Sequence, residues 1–216
     1  EAAKRHGARG FGIEWDTNLV RYATERAEKD MVGHRVRFVA GDLFEADLRD
    51  ATVVMLYLLP RMLEKLTPKL KSDLPPGARI VSHDYRLTDW KPDKVLTFDV
   101  PEKERISGTT ETTLLYYLVP AKIAGTWSLA LSEPFGGDAP LRVTITQNGN
   151  EIDGAALVAE GNALPLRDPI LRGDTIRFGL FYRGRLMSLS GRIGAGTMSG
   201  DVRARTDIGR WTATRS

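Results

Sequence analysis

The chain has 216 residues, 42% hydrophobic and 27% charged, the balance of one large folded domain or two small ones. Its 31 basic and 28 acidic side chains leave a net charge of +3, too small and too evenly spread to point to nucleic acid or an anionic membrane. With no cysteine there is no disulfide framework, thiolate metal site or cysteine nucleophile, and no apolar run approaches the roughly 18 residues of a spanning helix.

In chain order, Glu1–Arg5 reads like the last turn of a helix that begins elsewhere, so a fragment is expected, and a lost N-terminus would take any signal peptide with it. Arg9–Ile13 is a strand candidate ending in Glu14-Trp15-Asp16. Asp16 or Thr17 then offers an N-cap, and Leu19, Val20, Ala23, Ala27 and Met31 recur at helical spacing. Val36–Ala40 is the next strand, followed by the acidic turn Gly41-Asp42-Leu43-Phe44. The apolar run Ala51–Leu59 fits a strand buried on both faces. A helix stripe follows through Met62, Leu63, Leu66, Leu70 and Leu74, interrupted at Pro68 and stopped by Pro75-Pro76-Gly77. Ala78–His83 is another strand. Lys94–Val100 and Thr112–Val119 read as an edge hairpin without a helix between them. Strand alternating with helix predicts a Rossmann-like α/β domain with a mostly parallel sheet.

After Ala124 the pattern changes. Short alternating segments start at Gly125, 141–149, 151–159, 162–166, 173–182, 184–193, 196–204 and 209–215, with Asn148-Gly149 and Arg183-Gly184 where tight hairpin turns belong. About eight antiparallel strands predict a small barrel or compact sandwich. The division falls between an α/β domain, 1–122, and an all-β domain, 123–216. Leu129, Val143, Ile145, Ile176, Phe178, Met187 and Leu189 are bulky inward candidates, favouring an interior filled by side chains over a ligand cavity. Gly125-x-Trp127 near the start and Trp211 near the end resemble the opening and closure of a lipocalin-like barrel. The glycines of 191–200 are read as serving turns or close packing.

Ligands of open parallel sheets bind at the carboxyl ends of strands, where Glu14 and Asp42 both fall. Glu14 there can accept both ribose hydroxyls of a nucleoside, and Asp42 the exocyclic amine of adenine, with Leu43 against the ring. The alternative at both positions is a solvent-exposed turn acid or a helix cap. His83-Asp84 has the composition of a base with an orienting acid, but adjacent strand residues point to opposite faces, which argues against a pair. The three histidines, His6, His34 and His83, suggest no metal site.

The segments GIEWD, VRFVAGDLFEADL and ATVVMLYLLPRMLEKLTPKLKSDLPPGARIVSHDYRLTDWKPD resemble consecutive motifs of class I, seven-strand S-adenosylmethionine-dependent methyltransferases. The likeness covers roughly residues 1–120 and is greatest to bacterial relatives of the ATP synthase c-subunit lysine N-methyltransferase. It implies S-adenosyl-L-methionine as cofactor, with Glu14 and neighbouring Trp15 at the ribose, Asp42 and Leu43 at the adenine, and Leu56–Pro60 lining the passage to the acceptor. Leu56 then belongs to the cofactor side, and Tyr57 and Pro60 are the catalytic candidates. The likeness also implies a glycine-rich motif upstream of Glu1, on a central strand between the one ending at Glu14 and the one through Val53. Without that motif the chain is expected to be impaired.

Methyl transfer from a sulfonium rests on alignment and exclusion of water. The Tyr57 hydroxyl is a candidate to orient the acceptor amine, and the Tyr57 and Trp90 rings to face a methylated cation. The alternatives are a core role for Tyr57 and a sheet-edge role for Trp90. The expected partner is a protein lysine rather than nucleic acid. The cofactor pool favours the cytoplasm, whereas barrel modules of this kind favour export. The competing function is a non-catalytic binding protein whose barrel takes a small apolar ligand or a protein partner, with Arg183, Arg185, Arg203 and Arg205 available to an acidic one.

Overall fold

The computed structural model describes residues 1–136, 139–158 and 161–216 and divides into two compact units, Glu1–Arg49 and Asp50–Ser216. In the first unit, α1 (Ala2–His6) ends at Gly7 in the left-handed conformation. Strand β1 (Gly10–Glu14) runs parallel to β2 (Val36–Ala40), connected by α2 (Thr17–Lys29). Asp16 is the N-cap, accepting the Asn18 N–H at 2.8 Å. Gly12 lies opposite Phe38, and a Cβ there would come within 2.9 Å of its ring, so the glycine lets the ring lie across β1. Of the expected α2 stripe only Ala27 is buried. Met31 lies beyond the helix end with φ of 58° and is exposed.

The second unit begins with β3 (Val53–Leu56), α3 (Pro60–Asp73) and β4 (Arg79–His83). The expected strand over 51–59 is shorter than its apolar run, because the chain turns away after Leu56 to start α3 at Pro60. The helix passes through Pro68 instead of breaking there. Leu63, Leu66 and Leu70 are all buried, and that stripe offsets the hydrogen bond proline removes. Strands β5 (Lys94–Asp99) and β6 (Glu111–Leu118) form the expected antiparallel pair, but a 3₁₀ turn (Pro101–Lys103) and the single-turn α4 (Glu104–Ser107) connect them.

The sheet order is β3-β4-β6-β5, with β3 and β4 parallel. Among the described residues β1 pairs only with β2 and β3 only with β4, so the α/β strands form two sheets. The β4–β5 loop folds onto the second sheet's core. Leu87 is buried and its N–H donates to the Tyr117 hydroxyl at 3.0 Å, while the Trp90 ring meets Tyr117 edge-on at 5.7 Å.

The remaining strands are β7 (Gly125–Leu131), β8 (Leu141–Asn148), β9 (Glu151–Leu157), β10 (Ala163–Pro165), β11 (Arg167–Arg172), β12 (Thr175–Tyr182), β13 (Arg185–Ile193), β14 (Thr197–Ala204) and β15 (Asp207–Arg215). They make a nearly closed antiparallel barrel in the order β10-β9-β8-β7-β15-β14-β13-β12-β11. Nine strands replace the expected eight. The additional one is β11, whose register shifts between Arg167 and Ile170 and whose Asp168 has φ of 46°. A Leu166 N–H bond to the Gly154 carbonyl at 2.9 Å links the chain between β10 and β11 to β9. The expected segment 151–159 is strand through Leu157, and Ala159 lies outside the described residues.

All seven inward candidates are buried, together with Trp127, Trp211 and Leu180, so side chains fill the barrel core. Trp127 donates to the Ile123 carbonyl at 2.8 Å, and Trp211 to the Ser190 carbonyl at 3.1 Å. Gly191 and Gly200 face each other across β13 and β14, and Gly200 also faces Trp211, which bears out close packing for these glycines. Sheet and barrel join through several bonds. The Ala121 N–H donates to the Gly173 carbonyl at 2.8 Å, Asn150 donates to Asp93 Oδ1 at 3.2 Å, and Gln147 clasps both Ala121 and Ile123.

Candidate functional site

The site residues expected from sequence divide between the two units. In the first, the parallel pairing of β1 with β2 sets Glu14 opposite Ala40, with the Gly41 N–H donating to the Glu14 carbonyl at 3.1 Å. Both strands therefore present acids at one end of the sheet, Glu14 directly and Asp42 two residues past β2. The Glu14 Oε1 accepts the Trp15 and Asp16 N–H groups at 2.7 and 3.1 Å. These bonds fold the carboxylate back over the start of α2, while Asp16 provides the side-chain cap. Asp42 Oδ1 accepts the Phe44 N–H at 2.8 Å in a local turn.

Each acid thus uses one oxygen locally. Neither Glu14 Oε2 nor Asp42 Oδ2 has a partner among the described residues, so each remains available as an acceptor. Two acceptors therefore stand at neighbouring ends of paired parallel strands, the end at which open sheets bind ligands. Leu43 is half-buried beside Asp42, and Trp15 is 78% exposed. A groove lined by Thr24, Ala27, Val36 and Phe38 opens at the start of β2, the end remote from these acids.

In the second unit, Leu56 is buried as the last residue of β3, whereas Tyr57 is 75% exposed and has left the strand. Its core alternative is thereby set aside. Pro60 occupies the first turn of α3, where its missing N–H costs nothing. Trp90 is buried against Tyr117, with Lys71 5.6 Å from its ring centre, and does not present a face to a ligand.

His83 and Asp84 do meet, contrary to the argument from strand alternation. Asp84 lies just past β4 with φ of 62°, and this left-handed turn brings its Oδ2 to 3.2 Å from His83 Nδ1. The Tyr57 ring stands edge-on to the imidazole with centres 4.7 Å apart. Lys103, which no sequence motif singled out, donates to Asp84 Oδ2 at 2.5 Å from the turn after β5, and the Thr113 N–H donates to Oδ1 at 2.9 Å. Burial pushes the Asp84 carboxyl up, but the bonds from Lys103 and Thr113 and the nearby charges outweigh it and hold the group below its ordinary value. Three of the four arginines considered for an acidic partner have internal roles: Arg185 pairs with Asp207 at 3.0 Å, Arg203 lies 4.0 Å from Asp201, and Arg183 donates to the Gly136 carbonyl at 2.9 Å.

Residues 1–94 match the model of the ANTKMT methyltransferase domain. A protein-lysine N-methyltransferase of Saccharolobus islandicus is 39% identical over 88 residues, 41% of this chain and 55% of that protein. The ATP synthase c-subunit lysine N-methyltransferase of Xenopus laevis is 30% identical over 94 residues, 44% of this chain and 42% of that protein. The chain spans about half the length of the curated relatives it matches. A solved RNA methyltransferase from Salinibacter ruber, in complex with S-adenosyl-L-homocysteine, is 43% identical, covering 56% of this chain and 72% of its own, with a TM-score of 0.49.

Proposed function

We propose that this chain belongs to an S-adenosylmethionine-dependent protein-lysine N-methyltransferase, with residues 1–122 as the methyl-transfer part and 123–216 as an attached barrel. The observation that carries the reading is the Glu14 carboxylate, fixed through one oxygen by two backbone N–H groups and open through the other. In this reading Glu14 holds the ribose hydroxyls, with Trp15 beside it. Asp42 accepts from the adenine amine while Leu43 packs on the ring. Bound S-adenosyl-L-methionine supplies an already activated methyl group, so the protein's task is alignment and exclusion of water. Tyr57 and Pro60, which follow β3 in the second unit, are the candidates to orient the acceptor amine. The filled barrel interior favours this enzyme reading over a small-ligand carrier.

The test is transfer of labelled methyl from S-adenosyl-L-methionine to protein and RNA acceptors, with the label located by mass spectrometry. The chain and a form extended upstream are both assayed. The expected product is Nε-methyl-lysine, reduced at least about tenfold by Glu14→Ala, as loss of a charge-assisted hydrogen bond requires. Label on RNA alone, or no transfer by either form, contradicts the proposal.

A further inference from the structure

The His83–Asp84–Lys103 cluster at the mouth of the second sheet belongs to neither the cofactor contacts nor the hydrophobic core. It lies at the carboxyl end of β4, next to the carboxyl end of the parallel β3, which leads directly into Tyr57. An ion pair used only for stability could sit anywhere on the surface. This one is half-buried, fixed on three sides, and set against an exposed tyrosine whose ring stands edge-on to the imidazole.

The Asp84 carboxylate is tied by Lys103 and by the Thr113 N–H, so it cannot swing away from His83 without breaking both bonds. A carboxylate 3.2 Å from Nδ1 favours the neutral tautomer protonated at that nitrogen, leaving the Nε2 lone pair free. No partner for Nε2 is found among the described residues. The titratable groups placed against the ring are Asp84 from its own strand end and Tyr57 beyond β3, with Lys103 reaching Asp84 from the turn after β5. Strand β6 contributes Leu114, which does not titrate.

We propose that His83 is the proton acceptor for the methyl-acceptor nitrogen, with Asp84, fixed by Lys103, as its positioning residue. The proposal rests on the methyltransferase reading above. A lysine ammonium gives one proton to His83 Nε2, forming imidazolium and a neutral amine. The amine lone pair attacks the methyl carbon of the sulfonium donor. The C–N bond forms as the C–S bond breaks, with its electron pair passing to sulfur and leaving a neutral thioether and a methylammonium. The imidazolium then returns its proton to water. Tyr57, in edge contact with the ring, limits its rotation and stands where the acceptor chain would approach.

The test joins a measurement on the protein alone to a kinetic one, using the chain and its upstream-extended form. ¹⁵N NMR of the imidazoles is expected to show neutral His83 protonated at Nδ1, with a shift toward the Nε2–H form in Asp84→Gly, a substitution compatible with the left-handed backbone at that position. In methyl transfer, His83→Gln is expected to lower kcat about 10²-fold at neutral pH, the lower range for a proton-transfer group, without changing S-adenosylhomocysteine affinity. The pH profile of the wild-type rate should differ from that of His83→Gln. A wild-type ring protonated at Nε2, or an active wild type matched by His83→Gln in kcat and pH profile, overturns the role. Should His83→Gln fail to fold, the tautomer and the Asp84→Gly rate decide. A wild type that neither binds S-adenosylhomocysteine nor transfers methyl in either form overturns the methyltransferase reading itself, and this role with it.

Discussion

The guanidinium of Arg215 lies 4.6 Å from the centre of the Trp127 ring, so the last residue of β15 covers the first tryptophan of the barrel. The same group donates to the Ala124 carbonyl at 2.8 Å and the Lys122 carbonyl at 3.0 Å. The two ends of the barrel sequence are thereby tied over one indole. Arg215→Ala is expected to lower stability by about 1–2 kcal/mol, the combined scale of a cation–π contact and a charged hydrogen bond. Arg215→Lys should recover only part of this, since an ammonium cannot fork to both carbonyls. Urea unfolding followed by tryptophan fluorescence measures both. A lysine variant equal to wild type would contradict the fork.

A second prediction concerns the paired glycines. A Cβ on Gly200 would overlap the Ser190 carbonyl, and one on Gly191 would lie 2.6 Å from Trp211 Cζ2. Gly200→Ala should therefore cost about 1–3 kcal/mol as β13 and β14 are pushed apart. A free-energy change near zero in denaturant unfolding would mean that the strands yield without loss.

The junction of sheet and barrel makes a third. Gly173 has φ of 59°, and a Cβ there would sit 3.1 Å from Gly77 Cα and 3.2 Å from a Leu118 methyl. Gly173→Ala is strained by its backbone and crowded by its neighbours, so it should destabilise by at least about 1 kcal/mol. Proteolysis is expected to cut the variant sooner than wild type between residues 118 and 125. Unchanged cleavage and stability would show that the junction tolerates the methyl group.

A fourth follows from Asp84. Its carboxyl is held below the ordinary 3.8 in the folded protein, because the Lys103 and Thr113 bonds outweigh the upward push of burial. A carboxyl with a lower value folded than unfolded contributes stability fully present above the unfolded value. That contribution is lost as pH falls below 3.8 and through the folded value. Asp84→Asn should therefore be less stable than wild type at neutral pH, with the difference narrowing in acid. Thermal melts across that window check the sign, and a difference that widens in acid would refute it.

Much of this architecture was legible in the sequence where side-chain period and turn chemistry agreed. Arg183-Gly184 is the turn as read, whereas the β8–β9 hairpin turns at Gly149-Asn150, one residue later than the Asn148-Gly149 expected, with Gly149, Arg183 and Gly184 all at positive φ. Strand β11 was not legible, because Pro169 and the irregular register at Asp168 break the alternation that marks a strand. Pro68 looked like a helix break because local preference ignores the buried leucine stripe on either side of it. At the candidate site, the strand-end position of Glu14 was readable, but its backbone anchoring was not. Strand alternation argues against the His83–Asp84 contact because it assumes extended backbone, and Asp84 is the first residue to leave it. Lys103 had no signal, since its role depends on a turn that brings it back to the end of β4.

The central claim is that Glu14 binds the ribose of a nucleoside cofactor. The most direct measurement is calorimetric titration of S-adenosylhomocysteine into the chain and its upstream-extended form, each with Glu14 and with Glu14→Ala. Glu14 is exposed, so the substitution should leave thermal stability nearly unchanged. The account predicts binding that weakens at least about tenfold in Glu14→Ala. Equal affinity in the variant, or no binding by either form, would contradict it.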